Sequence, residues 1–301
     1  MPFSKRSTIL FDVSHNEMLN LSESEYSDFL NLLKTLNQDI IKNENSDITD
    51  ELLIDVDILV IGNPINDYFS TSEINNIIDF VKQGGSLLLI SEYGGDSLQK
   101  TNINDISGKY FDIFFEKTIL KENKELNQNS TSILNIKSFP EHDITHQLRE
   151  VVIGGSCSIL LKGNAIILLE LNDNVWSERY NPSINDWDQD QKKEKYVLSA
   201  CSTYGKGKIV ALGDVDIFSK DPNFGINQLE NRKFIKNIFN WLIKPSEEDN
   251  SLNWALNRIG AIENKVQQLN IKINNLIETI TFLENRISDM EKKEANIKNA
   301  S

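Results

Sequence analysis

Short apolar runs alternate with segments of helical period through the first 100 residues. The apolar runs have strand length and cover residues 8–13, 39–42, 57–62 and 86–90. Between them, residues 22–36 and 70–83 repeat their apolar positions at i, i+3, i+4 and i+7, which is typical of a helix with one buried face. Strands that alternate with helices predict a mostly parallel sheet with flanking helices, and therefore an α/β fold.

The stretch 84–96 organises this pattern. Gly84 and Gly85 end the helix over 70–83, four apolar residues follow, and a polar, glycine-rich turn comes next. In parallel sheets, sites lie beyond the carboxyl ends of the strands. We therefore expect the crevice of the protein at this turn and at two later polar positions. The candidate crevice residues are Ser91, Glu92, Tyr93, Gly94, Gly95, Asp96, Asn102 and Asp214.

The other segments before residue 244 carry weaker patterns. Ser22 and Glu25 have capping-box spacing, and Thr101 or Asn102 is expected to cap a helix over 102–117. Further strands are predicted at residues 151–153, 158–161, 165–169, 196–203 and 208–212, a closing helix at 234–242, and loops at 121–131 and 181–195.

The C-terminal part carries an unbroken heptad repeat. Positions a are Ile259, Val266, Ile273, Ile280 and Ile287, and positions d are Ile262, Leu269, Leu276, Leu283 and Met290. β-Branched a residues with mostly Leu at d favour a parallel two-stranded coiled coil. Arg258 with Glu263 and Arg286 with Glu291 would pair between parallel chains. The partner is a second copy or a matching coiled-coil protein; Ile277 at an e position leaves a trimer open, and a helix folded back on the head is the other alternative.

These patterns predict three segments. The α/β domain covers residues 7–243, an acidic linker covers 244–250, and the coiled coil covers 251–298.

Charge and composition limit the classes of binding partner that we expect. The 301 residues carry a net charge of −14, which disfavours nucleic acid and anionic membranes as binding partners. No apolar run reaches membrane-spanning length, and no leader segment is recognised, so no direct membrane insertion is expected. The two cysteines suit a reduced, cytoplasmic protein.

Catalytic chemistry is not favoured. Ser91 would need an adjacent histidine to act as a nucleophile, and His15, His142 and His146 are remote in sequence. Cys157 has the same need and is flanked by strand-like residues. We therefore expect no catalytic residue, no cofactor and no metal site.

Several ordered motifs resemble the GIFT domain. They lie at residues 8–14, 80–85, 92–96, 101–104 and 207–214, and the resemblance extends over residues 7–243. This domain is shared by intraflagellar transport protein 52 and by gliding-motility ABC-transporter auxiliary subunits. The resemblance implies a flavodoxin-like fold of the class I glutamine-amidotransferase type, without the nucleophilic cysteine.

The resemblance also implies a non-catalytic scaffold that assembles with other complex subunits. The expected function is an adaptor that oligomerises through its coiled coil and presents an amidotransferase-like head. Two alternatives stay open. One is a hydrolase or amidotransferase-like enzyme that uses Ser91 or Cys157, and the other is a soluble auxiliary subunit of an ABC transporter.

Overall fold

The computed structural model describes residues 7–123, 130–172 and 174–243, and in the C-terminal part residues 259, 263, 266, 267, 269–284, 286 and 287. Its strands are β1 (Thr8–Asp12), β2 (Asp39–Asn43), β3 (Ile58–Gly62), β4 (Ser86–Ile90), β5 (Ile113–Phe115), β6 (Thr118–Asn123), β7 (Ser130–Thr131), β8 (Ile133–Ile136), β9 (Val151–Gly154), β10 (Ile159–Leu161), β11 (Ile166–Leu171), β12 (Val175–Asn181), β13 (Asp186–Gln189), β14 (Tyr196–Tyr204) and β15 (Gly207–Leu212). Its helices are α1 (Ser27–Thr35), α2 (Asp50–Leu53), α3 (Thr71–Lys82), α4 (Gly95–Gln99), α5 (Ile103–Tyr110) and α6 (Asn231–Ile243).

Nine of the described strands form the main sheet, in the order β2-β1-β3-β4-β15-β14-β10-β5, with β11 also paired to β14. The pairs from β2 to β15 are parallel, and β14, β10, β5 and β11 continue the sheet in antiparallel pairs. The sheet is therefore largely parallel on one side, and the carboxyl ends of five strands meet at one edge.

Alternate side chains of the parallel strands face two separate cores. In β1, Ile9 and Phe11 pack into one core with residues of α1 and α6, whereas Leu10 packs into the other with residues of α3 and α5. The two-residue period of a strand places successive side chains on opposite faces, so helices cover both faces of the sheet. This confirms the predicted α/β class and the flanking helices.

Helix α3 matches the prediction for residues 70–83 closely. Ser70 accepts a hydrogen bond from the Glu73 N–H at 3.3 Å, and the Glu73 carboxylate accepts one from the Ser70 N–H at 2.9 Å. This reciprocal pair is a capping box, which satisfies two amides at the start of the helix. The same arrangement fixes the Glu73 side chain in place.

Two predicted helix starts are wrong in detail. Ser22 and Glu25 do not form a capping box: a 3₁₀ turn covers Ser24–Tyr26, α1 begins at Ser27, and the Ser22 hydroxyl binds the Lys42 ammonium at 2.6 Å. Asn102 makes no side-chain capping bond to α5, and the helix ends at Tyr110 rather than at residue 117. Asp112 has a φ of 61°, a conformation that breaks the helix before β5.

Two predicted loops contain strands. Residues 118–123 and 130–131 form β6 and β7, and residues 175–189 form the β12–β13 hairpin. Together these four strands make a second, antiparallel sheet in the order β13-β12-β6-β7. The side chains of β13 are mostly exposed, so no apolar alternation marked it in the sequence.

The chain divides into two compact units, Met1–Asn250 and Ser251–Ser301. Residues 269–284 are helical, and the described heptad side chains are exposed, from 37% for Leu269 to 62% for Leu276. Ile262, Met290, Arg258, Glu291 and the linker 244–250 lie outside the described residues. Within the described part of the chain, no helix has the length and apolar character needed to cross a membrane.

Candidate functional site

Buried polar side chains follow every parallel strand at the edge where the strands end. Asp12 and Asn43 are the last residues of β1 and β2, Asn63 follows β3, Ser91 follows β4, and Asp214 stands just beyond β15. Each of them is at most 4% exposed. The carboxyl edge of the parallel strands is therefore lined by buried polar groups, at the place where parallel sheets carry their sites.

The turn after β4 is fastened to the turn after β15. The Ser91 N–H donates to the Leu212 carbonyl at 2.9 Å, and one Glu92 oxygen accepts from the Val215 N–H at 3.0 Å. The other Glu92 oxygen accepts from the Tyr93 N–H at 2.9 Å. Glu92 is 2% exposed, so its carboxyl group serves as an internal acceptor for backbone amides.

Glu92 belongs to a cluster of three carboxyl groups. One oxygen each from Glu92, Asp214 and Asp216 lies within 4.8 Å of the others. Asp214 also accepts from the Gly154 N–H at 3.1 Å and the Asp216 N–H at 2.8 Å. Like charges this close cannot all ionise at low cost when they are buried.

The pKa values of the cluster follow from that crowding. Burial first, and then the charges of Asp214 and Asp216, raise the pKa of Glu92 well above its ordinary value. Burial and Asp216 do the same to the pKa of Asp214. Burial, with Glu25 and Asp221, raises the pKa of Asp216 to about 6. This cluster therefore holds protons at pH values where exposed carboxyls have lost them.

The tight turn at Gly94–Gly95 positions the next carboxyl group, that of Asp96. Both glycines have positive φ, 79° and 49°, and a Cβ on Gly95 would lie 2.9 Å from the Glu116 carbonyl oxygen. Asp96 follows at once, and its two oxygens accept from the Ile103 and Asn104 N–H groups at 3.1 and 3.0 Å. Asp96 thus caps α5 in place of Asn102 or Thr101. Burial raises the pKa of Asp96 to about 6 despite these bonds.

The side chains of Asn102 and Tyr93 contact other parts of residues 7–243. Asn102 accepts from the Phe69 N–H at 2.9 Å and donates to the Phe69 carbonyl at 3.0 Å, so it fastens the segment before α3. Tyr93 is 37% exposed, and its ring centroid lies 6.2 Å from that of Trp187 in the β12–β13 hairpin. Of the candidate residues, only Glu92 and Asp214 join one carboxyl cluster.

A second polar cluster lies at the end of β1, and the sequence analysis missed it. His15 Nδ1 stands 2.7 Å from Asp12 Oδ2, and His15 Nε2 stands 3.1 Å from Glu73 Oε1. Glu17 Oε1 lies 3.9 Å from His15 Nδ1. The signal was the group of polar residues Asp12 and 14–17 at the end of a buried strand, by the same reasoning that selected Ser91.

The charges in this second cluster are strongly coupled. Burial alone would lower the pKa of His15, but its hydrogen bond to Asp12 and the neighbouring carboxylates outweigh burial and raise it. Burial, together with Asp12, raises the pKa of Glu17 to about 10. Burial opposes the ionisation of Asp12, but its hydrogen bonds prevail and lower the pKa.

Burial disfavours the thiolate form of both cysteines. Burial raises the pKa of Cys157 well above its usual range, and it raises the pKa of Cys201 to about 12. His142 Nε2 lies 3.6 Å from the Cys201 sulfur rather than beside Cys157. Among the described residues, no hydrogen bond joins a histidine ring to Ser91 or to Cys157.

These features define an α/β protein with a largely parallel sheet and with buried carboxyl groups at the carboxyl edge of its parallel strands. Residues 8–127 match the family model of the IFT52 GIFT domain. This match confirms the resemblance to GIFT-domain proteins for the motifs at residues 8–14, 80–85, 92–96 and 101–104.

Solved structures show the same fold. The mmIFT52 N-terminal domain has a TM-score of 0.64 and 19% identity, over 79% of this chain and 98% of that domain. A cytoplasmic protein from Salmonella typhimurium LT2 has a TM-score of 0.54 and 18% identity, over 79% of this chain and 100% of its own. A second cytoplasmic protein from Salmonella typhimurium has a TM-score of 0.50 and 13% identity, over 78% and 98%. No curated protein matches the chain by sequence.

Proposed function

We propose that this chain is a non-catalytic adaptor in a protein assembly of the intraflagellar-transport type. The match of residues 8–127 to the IFT52 GIFT domain carries the proposal. The head, residues 7–243, presents the crevice edge and its surroundings to other complex subunits. The flavodoxin-like assignment belongs to the same proposal, and the parallel strand order β2-β1-β3-β4-β15 supports it.

The bonding of the crevice supports a structural role for its acidic residues. Both Glu92 oxygens and both Asp214 oxygens accept backbone amides, and Asp96 accepts two more. A general acid or base must present its carboxyl group to a substrate, and these groups are turned toward the chain itself. We therefore assign them to holding the turns that shape the head.

The tail, residues 251–298, pairs two heads through a parallel coiled coil in the proposed protein. The described a and d side chains are at least 37% exposed, which leaves an apolar stripe for a second strand. Two heads on one rod gain avidity through effective concentration, so weak head contacts suffice for assembly. In this proposal the protein is cytoplasmic, does not bind nucleic acid and does not insert directly into a membrane.

Light scattering on the full chain tests the tail. The wild type is expected at twice its monomer mass of 34.4 kDa. The double variant Ile273→Asp, Ile280→Asp places charges at two a positions and is expected to be monomeric. The matched control, Asn274→Asp with Thr281→Asp, has the same charges one position along and should remain a dimer. A monomeric wild type at tens of micromolar would remove the coiled coil from the proposal.

Affinity capture of the tagged full chain from its own cells tests the adaptor role. We expect a fixed set of protein subunits at stoichiometric amounts, reduced in number or yield with the double variant and unchanged with its control. A chain that is recovered alone at physiological salt, from cells that contain the assembly, would overturn the proposal. Because light scattering needs no partner, failure of the tail and failure of the adaptor role are separable.

A further inference from the structure

We propose that Asp12, His15 and Glu17 bind one divalent transition metal ion, of the Zn²⁺ or Mn²⁺ kind, at the carboxyl end of β1. This departs from the sequence analysis, which expected no metal. One donor atom from each of the three residues lies within 4.8 Å of the other two, and all three residues are buried. Two carboxylate oxygens and one imidazole nitrogen form a donor set that zinc and manganese accept.

The spacing of the donor atoms suits one shared ion. His15 Nδ1 lies 2.7 Å from Asp12 Oδ2 and 3.9 Å from Glu17 Oε1. Ligand bonds to zinc of about 2.0–2.2 Å place neighbouring donor atoms roughly 3–3.5 Å apart. Side-chain movements of less than about 1 Å therefore convert the present arrangement into a coordinating one.

In Asp12 and in Glu17, one carboxylate oxygen accepts hydrogen bonds from the chain, and the other oxygen can bind the ion. Asp12 Oδ1 accepts from the Ser14 hydroxyl at 2.8 Å and from the Asn43 amide at 2.7 Å. Glu17 Oε2 accepts from the His15 backbone N–H at 3.1 Å. The oxygens that remain, Asp12 Oδ2 and Glu17 Oε1, are the two that face His15 Nδ1.

The histidine is oriented in the way that metal-bound histidines are. Its Nε2 lies 3.1 Å from Glu73 Oε1, a distance at which Nε2–H can donate to the carboxylate. An ion at Nδ1 would replace the contact that Nδ1 makes with Asp12 Oδ2 at 2.7 Å. Glu73 is itself fixed by the Ser70 and Ile48 amides, at 2.9 and 3.0 Å. A carboxylate behind the ring sets the tautomer and raises the basicity of the ligand nitrogen. The Phe69 ring, with its centroid 4.1 Å from that of the imidazole, limits rotation of the ring.

An unpartnered oxygen points independently to a missing positive group. Glu17 is 6% exposed, yet its Oε1 has no hydrogen-bond partner among the described residues. A buried carboxylate oxygen without a partner is costly, and a bound cation removes that cost. The 9% exposure of the His15 side chain leaves a route for entry of the ion.

The experiment uses the full chain after removal of metal by chelation. Zn²⁺ is titrated calorimetrically, and Co²⁺ is titrated while its visible absorption is recorded. The wild type is expected to bind one equivalent, with a Co²⁺ absorption band. Glu17→Gln should weaken binding at least tenfold and abolish the band, and the exposed control Glu44→Gln should bind like the wild type.

A second variant separates loss of a ligand from loss of fold. Glu73→Gln retains one oxygen for the Ser70 N–H, but its amide nitrogen replaces the oxygen that accepts from the Ile48 N–H and faces His15. The chelated variant is therefore expected to melt at a lower temperature than the chelated wild type. At a temperature where both are folded, we expect the variant to bind Zn²⁺ about tenfold to a hundredfold more weakly. Absence of stoichiometric binding to the wild type, or equal affinities in all four proteins, would show that a shared proton alone balances the cluster and would overturn the proposal.

Discussion

Glu92 accepts a hydrogen bond from the backbone N–H of Val215 across 123 residues of sequence, at 3.0 Å. The bond joins the turn after β4 to the turn after β15, two neighbouring parallel strands. It also holds the Glu92 carboxyl group beside that of Asp214, where burial disfavours charge on both. This contact links the two turns, and it opposes the rise in the Glu92 pKa that burial and the neighbouring carboxyl groups cause.

Replacing Asp216 tests the cost of burying its carboxyl group beside other acidic residues. Its pKa rises from an ordinary 3.8 to about 6 in the folded chain, through burial, Glu25 and Asp221. A raised folded pKa favours the fold fully below the unfolded pKa, and this contribution is lost as pH rises through the folded value. Asp216→Asn should therefore be more stable than the wild type above about pH 6, by about 1 kcal/mol after allowance for solvent screening.

Urea unfolding between pH 4 and pH 8 measures this difference. The gain should grow between about pH 4 and pH 6 and vanish near pH 4, because the wild-type carboxyl is then neutral in both states. Asp79→Asn, an exposed change on α3, serves as the control and should not reproduce the profile. An Asp216→Asn variant with wild-type stability at every pH would contradict the raised pKa of Asp216.

Removal of the Asp96 carboxyl tests the cap of α5. Asp96→Ala leaves the Ile103 and Asn104 amides without their acceptor, and we expect a loss of about 1–2 kcal/mol in the free energy of unfolding. Asp105→Ala removes an exposed carboxyl from the first turn of the same helix and should cost no more than about 0.5 kcal/mol. Equal losses for the two variants in denaturant titrations would show that Asp96 acts only through its charge.

The parallel part of the main sheet could be predicted from the sequence for a physical reason. Strands β1, β3 and β4 are buried on both faces, so they appear as continuous apolar runs, and α3 carries its own cap. The same edge rule located the turn at residues 91–96. By contrast, the β12–β13 hairpin has many exposed positions, and its pairing rather than its own pattern makes it a strand pair.

The hydrogen bonds at the site could not be predicted from the sequence, for a different reason. The contact of Glu92 with Val215 and that of His15 with Glu73 join segments distant along the chain. Local patterns predict where a strand ends, but they do not specify which distant amide or imidazole a carboxyl group meets. The cap on α5 shows the same limit: Asn102 occupies the expected position, yet it bonds to Phe69 while Asp96 binds the first amides of the helix.

Thiol reactivity decides between the adaptor and an enzyme that uses Cys157. Both cysteines are at most 1% exposed, and burial raises both pKa values, so little thiolate is present at pH 8. We expect an aromatic disulfide reagent to label neither thiol of the native chain at more than about a hundredth of the rate of a free thiol, and to label both after unfolding. Cys157→Ser and Cys201→Ser assign any residual reaction. Native Cys157 that reacts as fast as a small free thiol would require an activating group at the crevice, and the enzymatic alternative would then replace the adaptor.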